Sequence, residues 1–352
     1  MSTYERVADL PLTIDDYALE GLSRTVSSGF ERVTTVIRLR GGGEEGVGED
    51  VTYDAGLQRA QQEHGPQLPL AGDWTFDSFS QHLGELDLFP AGAPDREVYR
   101  NYRRWAFESA ALDLALRQAG HSLADAVGRE LRPVTFVVSS RMGDPPTLEP
   151  LTRRLARYPW LRFKLDATPD WDDDLIAGLI DSGAVDSLDL KGAYKGTPVD
   201  VDTDPAFYRR IAEAFPDAWL EDPDLETDGA REALAPYEDR ITWDAPIHSV
   251  QDILDAPVLP RTVNLKPSRF GSLEALFAGY DFCEERGMGA YGGGQYELGP
   301  GRGQIQYLAA LFHPDAPNDI APAGYDALDP EPGLQESPLT PDPEPTGFRR
   351  RS

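Results

Sequence analysis

The chain has 352 residues, 40% of them apolar and 27% charged, which is the balance of a globular protein with one large domain and an accessory one. Its 61 acidic residues against 33 basic ones give a formal net charge of −28, which excludes duplex nucleic acid and anionic membrane surfaces as main partners. A lone cysteine, Cys283, excludes a disulfide framework, and no stretch of about 18 apolar residues reads as a signal or membrane segment, so a cytoplasmic protein is expected. The only lysines are Lys164, Lys191, Lys195 and Lys266, which makes each worth attention. So acidic and lysine-poor a surface suits a high-salt cytoplasm or a GC-rich genome.

Residues 30–40, FERVTTVIRLR, alternate and are β-branched, which predicts a strand. Gly41-Gly42-Gly43 turns it, and Glu45–Glu49 begins a second strand or a loop. From Val98 to Gly120 the pattern is a long helix, with Trp105, Ala106, Ala110, Leu112, Asp113, Leu114 and Leu116 on or beside one stripe. This first part is an α+β module, taken as residues 1–130.

After Pro133 short apolar runs alternate with helical segments. Strands are expected at Val134–Ser139, Leu161–Leu165, Ser187–Leu190, Ala218–Leu220, Ile241–Trp243, Thr262–Leu265 and Gly289–Tyr291. The alternation predicts parallel strands with crossover helices, and so many units favour a closed barrel over residues 131–320. Residues 321–352 are expected to be an irregular, Pro- and acid-rich segment that returns to the N-terminal cap, with its last dozen residues disordered in part.

Polar residues recur at the ends of successive strands: Lys164 and Asp166 in FKLD, Asp189 and Lys191 in LDLK, Glu221 in WLED, Asp244 in TWDA, and Lys266 in NLKP. In a parallel barrel those ends converge on one face. Asp189, Glu221 and Asp244 together make a hard-oxygen site suited to Mg²⁺. Asp222, beside Glu221 and before Pro223, reads as a cap, and His313 as structural. His248 reads as a helix-start or surface histidine.

On these residues, with FERVTTVIRLRGGGEEGVGE, AFESAALDLAL and GAYGGGQYELGPGRGQIQYLAALF, the chain resembles the enolase superfamily in its mandelate racemase and muconate lactonizing branch. The resemblance implies an α/β fold, a (β/α)7β TIM-like barrel under an N-terminal α+β capping domain. It implies Mg²⁺ on Asp189, Glu221 and Asp244, with Lys266 as acid/base on the sixth strand. It further implies a small carboxylate substrate that loses its α-proton to give an enediolate, and a symmetric homo-oligomer. Gly293, Gly294, Gln295 and Glu297 after the seventh strand, and Ser139 after the first, are candidate substrate contacts. Thr25–Ser28 and Val51–Asp54 fall where the family's capping loops lie.

Two departures matter. The family's Lys-x-Lys on the second strand reads Lys164-Leu165-Asp166 here, and its Asp-x-Asn on the third reads Asp189-Leu190-Lys191. Residues two apart on a strand share a face, so Asp166 and Lys191 are expected as inward neighbours. The carboxylate raises the lysine's pKa, which favours Lys191 as an electrostatic group or acid and leaves Lys266 as the base. Two alternatives remain: a plain buried ion pair at that position, and Lys164 as the base. A lyase is therefore expected, whether a dehydratase, o-succinylbenzoate synthase-like or ammonia-lyase-like. The alternatives are a racemase or epimerase with Lys191 as second base, and an impaired homologue that keeps only the metal.

Overall fold

The structure, a computed structural model, describes residues 1–25, 30–197 and 200–351. The N-terminal module contains a three-stranded antiparallel sheet of β2 (Asp16–Thr25), β3 (Glu31–Gly41) and β4 (Glu44–Asp50), preceded by β1 (Pro11–Ile14). Helix α1 (Ala55–His64) follows, then β5 (Gly72–Thr75), which pairs with β1, and helices α2 (Phe76–Glu85) and α3 (Val98–Gln118). The strand expected at 30–40 and the helix expected at 98–120 are both present. Of the expected capping loop Thr25–Ser28, Thr25 ends β2 and residues 26–28 lie outside the described residues.

Helix α3 is buried almost all round from Trp105 to Leu116, because β4 packs on one side and the barrel region on the other. The close approach depends on two glycines of β4. A Cβ on Gly46 would lie 2.1 Å from the Ala110 carbonyl oxygen, and one on Gly48 2.0 Å from that of Ala106. Within this interface Arg103 pairs with Asp50 at 2.7 Å, both buried.

After α4 (Leu123–Val127) the strand–helix alternation begins. The strands are β6 (Val138–Ser140), β7 (Phe163–Asp166), β8 (Val185–Asp189), β9 (Trp219–Glu221), β10 (Ile241–Thr242), β11 (Thr262–Asn264) and β12 (Gly289–Tyr291). The helices between and after them are α5 (Glu149–Arg157), α6 (Asp173–Ser182), α7 (Pro205–Ala214), α8 (Asp228–Leu234), α9 (Val250–Leu254), α10 (Pro267–Phe270), α11 (Leu273–Arg286) and α12 (Pro300–Phe312). Strands β6 to β10 form one parallel sheet in chain order, and β11 pairs in parallel with β12. The Asn264 amide donates to the Trp243 carbonyl at 3.0 Å and joins the two sheets.

The ring closes through Asn318 and Asp319, which take the eighth position. The Val137 amide donates to the Asn318 carbonyl and the Asp319 amide to the Gly292 carbonyl, each at 2.8 Å. This is a (β/α)7β barrel with a cap, as expected. Its eighth strand is too short to have shown as an apolar run.

The tail is irregular and packs back on the molecule: Leu339 bridges Val134, and the buried Phe348 donates its amide to Asp113 of the cap helix α3 at 3.1 Å. Asp113, on the stripe of α3, also takes the Val47 amide at 3.0 Å and Arg349 at 2.5 Å. An aromatic ring and an ion pair thus anchor a segment whose composition alone reads as disordered. Among the described residues no helix is long and apolar enough to cross a membrane.

Candidate active site

Strand register brings the polar residues together. Lys164 lies opposite Ser139 and Ser187, Asp166 opposite Asp189, and Asp189 opposite Glu221. Alternation turns this set into the barrel, where Asp189, Glu221, Asp244, Lys164 and Lys266 are all buried. Asp244 and Lys266 lie two residues past the ends of β10 and β11.

The carboxylates and cations interlock. The Lys164 ammonium donates to Glu221 and lies 3.5 Å from Asp189 Oδ2 and 4.0 Å from Asp244 Oδ2. The three carboxylates expected as ligands therefore converge on one position. Burial acts to lower the Lys164 pKa, but Glu221, Asp189 and Asp244 outweigh it and hold it well above the ordinary value. Burial likewise pushes Glu221 up, to about 8, and Asp222 up, to about 7. Burial pushes Asp244 up too, but Arg269 and Lys266 overcome it and hold that carboxyl well below the usual range. Asp189 is lowered in the same way, its burial outweighed by Lys191 and Lys164.

The acids whose oxygens all lie within 4.8 Å of one another are Asp189, Glu221 and Asp222, a cluster that could hold a metal ion. Asp244 is not part of that cluster; Lys266 Nζ lies 2.8 Å from its Oδ2 and Arg269 Nη1 3.1 Å from its Oδ1. Asp222 is not the helix cap expected of it. Its backbone is left-handed, φ 50°, and its carboxylate accepts the amides of Asp244 at 2.8 Å and Ala245 at 2.9 Å.

Lys191 meets Asp166 at 3.0 Å, as the spacing implies, and Asp189 at 2.5 Å. The route differs from strand alternation. Strand β8 stops at Asp189, and Lys191 sits at φ 56°, so a left-handed turn folds its side chain back over the strand end. Burial acts to lower the Lys191 pKa, yet Asp189 and Asp166 hold it well above the ordinary value, so it is an ammonium rather than a free amine.

The candidate substrate residues separate. Gly293 adjoins the lysine on β11, for a Cβ there would lie 2.4 Å from Lys266 Cε. Ser139 is exposed at the barrel mouth. Glu297 is engaged within the protein, by Arg302 at 3.0 Å and the Gln295 amide at 2.6 Å, and Gly294 packs against it. Gln295 is buried, with its side-chain nitrogen unpartnered.

The cap holds this loop from above. Fully buried Arg32 uses every N–H on carbonyls: Nε to Tyr296 at 3.2 Å, Nη1 to Val33 at 3.2 Å and Thr52 at 2.8 Å, Nη2 to Val51 at 2.7 Å and Gln295 at 2.9 Å. Glu49 does the reverse, accepting the amides of Leu298 at 2.7 Å and of Gly299 and Gly301 at 3.0 Å, where α12 begins. The expected capping loop Val51–Asp54 is thus tied to the barrel through Arg32.

Sequence reading missed several site residues. Arg269 follows Lys266 by one turn of α10 and donates to the Tyr194 hydroxyl at 3.2 Å; its spacing was a readable signal. Tyr291 ends β12 and donates to Glu221. Asn264, two residues before Lys266, is buried with no hydrogen-bond partner for its side-chain amide among the described residues. His248 is half-buried, and burial together with Arg269 lowers its pKa.

Two family profiles match, the N-terminal and C-terminal domains of a domain of unknown function (DUF8230), over residues 5–126 and 130–327. The chain belongs to the DUF8230 family. It is also 28% identical to the o-succinylbenzoate synthase of Geobacillus kaustophilus over 254 residues, 67% of this chain and 64% of that one, so the match spans just under two thirds of that relative. It is 26% identical to the N-succinylamino acid racemase of Thermus thermophilus over 307 residues, 83% of this chain and 79% of that one. A probable mandelate racemase from Alicyclobacillus acidocaldarius superposes with a TM-score of 0.63 at 22% identity, covering 88% of this chain and 86% of that one. A dipeptide epimerase from Methylococcus capsulatus, complexed with a Mg ion, gives 0.61 at 16% identity, covering 91% and 88%. This DUF8230 chain has the fold of the enolase superfamily.

Proposed function

We propose that this protein abstracts a proton α to a carboxylate with the help of a divalent cation, and that its overall reaction is that of a lyase of the o-succinylbenzoate synthase kind. The observation that carries this reading is the arrangement of lysines around the acids. Lys266 follows the sixth barrel strand, Lys164 lies on the second and Lys191 follows the third, with Lys164 and Lys266 at 4.0 and 2.8 Å from Asp244 Oδ2.

Oxygen-only donors fit Mg²⁺, and since burial raises Glu221 and Asp222, a bound cation would favour their charged forms. Asp189, Glu221 and Asp244, the set the family resemblance implies, would hold the ion; Asp222 lies close to the first two but also accepts two backbone amides, and Asp244 carries Lys266 and Arg269. When bound, the ion supplies Lewis-acid stabilisation of the substrate carboxylate. Lys266 takes the α-proton at Nζ. Lys191 and Lys164, as ammonium groups, stabilise the negative charge that develops and supply a proton to the departing group. A racemase needs a competent base on both faces, and on the face of the second and third strands Lys191 is paired with Asp166 at 3.0 Å and Asp189 at 2.5 Å. Racemisation is the second reading, favoured by the relative whose match runs over 83% of this chain.

The test is incubation in D₂O with Mg²⁺ and two probes: an N-succinyl amino acid and the hydroxylated precursor of o-succinylbenzoate. Product formation from the precursor, lost in Lys266→Ala, is the expected result. Exchange of the amino-acid α-proton with racemisation, lost in both Lys266→Ala and Lys191→Ala, would select the racemase. Intact Mg²⁺ binding with neither reaction would overturn the proposal.

A further inference from the structure

We propose that Arg141, at the rim between the first two barrel strands, holds the far carboxylate of the dicarboxylate that an o-succinylbenzoate synthase-like reaction takes. The inference rests on the barrel mouth being the substrate site, as proposed above.

Register places the residue. Ser139 lies opposite Lys164 and Ser140 opposite Leu165, so the next step sets Arg141 beside Asp166. Alternation from Ser139 turns it inward. The contact agrees: Arg141 Nε lies 3.0 Å from Asp166 Oδ2. Only that nitrogen is used. Neither Nη atom has a hydrogen-bond partner among the described residues, and the side chain is 63% exposed while Asp166 is 13% exposed. The guanidinium is held by its Nε, and its Nη atoms are left to solvent. That planar fork matches a carboxylate in bidentate fashion.

The anchor is firm on its inner side. Asp166 is held by Lys191 at 3.0 Å, and Lys191 by Asp189 at 2.5 Å. A chain of alternating charges therefore fixes the open fork relative to the acids that would bind the ion. Stability does not explain the placement, because exposed ion pairs contribute little. In a protein of net charge −28, a dianion needs local positive charge to approach, and Arg141 supplies it at the rim.

The test compares N-succinyl and N-acetyl derivatives of one amino acid, which differ by the second carboxylate. Binding is measured by calorimetry with Mg²⁺ present, for the wild-type, Arg141→Met and Arg141→Lys proteins. Arg141→Met is expected to weaken the N-succinyl compound about tenfold, the loss of one charge-assisted pair, and to leave the N-acetyl compound unchanged. Arg141→Lys recovers part of the loss. Equal Mg²⁺ affinity in all three shows that the acid cluster is intact. Equal weakening of both compounds, or of neither, overturns the role of Arg141 while leaving the mouth as substrate site. If the wild type binds neither compound, or both equally, the role of Arg141 falls, while the lyase reading is decided separately by turnover of the o-succinylbenzoate precursor.

Discussion

Gly293→Ala separates the position of Lys266 from the stability of the fold. The new Cβ would lie 2.4 Å from Lys266 Cε and 3.3 Å from Asn264 Nδ2. Carbon atoms settle at about 3.5 Å or beyond, so the lysine must retreat by roughly 1 Å. The atom that moves is near the end of a flexible side chain, so the stability cost is small, below about 1 kcal/mol. Catalysis has no such tolerance: a misplacement of about 1 Å at a reacting group costs on the order of 100-fold, equivalent to about 2.7 kcal/mol of barrier. The assay is turnover under saturating Mg²⁺ beside a urea titration of both proteins. Gly294→Ala is the comparison, since its Cβ would meet Glu297 Oε2 at 2.4 Å and not the lysine. Gly293→Ala with unchanged kcat and unchanged urea midpoint would refute the placement of Lys266 against this glycine.

His313 is buried with Nδ1 2.6 Å from Asn318 Oδ1, and burial lowers its pKa from 6.5 to about 4. The folded pKa lies below the unfolded one, so the unfolded chain takes the proton first; stability is full above pH 6.5 and declines as the pH falls toward 4. The decline amounts to about 2 kcal/mol between pH 8 and pH 5, and in urea titrations His313→Gln should lack that slope; an identical slope in both proteins argues against it. Arg32→Met removes the guanidinium from carbonyls of both cap and barrel. Faster amide exchange at 51–53 and 294–301 is expected, with a raised KM and unchanged exchange in the barrel strands. Unchanged exchange in those two segments contradicts the clamp.

The barrel and the chemistry-bearing face were legible because both are local patterns. Each strand is a short apolar run, and each carries its acid or lysine at the same end, as in FKLD, LDLK, WLED and NLKP. The meeting of Asp166 with Lys191 also followed from spacing, although a left-handed turn at Lys191 achieves it. Less legible were residues whose partners lie far away in the chain. Arg32 meets Gln295 and Tyr296, and Glu49 meets the start of α12, across more than two hundred residues. The return of the tail to the cap followed from the family resemblance, but composition does not show that Phe348 and Arg349 have a socket at Asp113.

The sequence by itself determined the fold class, the single face that gathers the charged residues, and their identities, because side-chain alternation and strand–helix rhythm are properties of neighbours. Only the tertiary structure decided which cation takes which carboxylate. Lys164 sits among Glu221, Asp189 and Asp244, and Arg269 with Lys266 closes on Asp244, while Asp222 rather than Asp244 completes the tight acid cluster. Those pairings depend on distances of a few ångströms between strands, where Coulomb energy changes steeply and burial decides its size. No spacing along the chain encodes them.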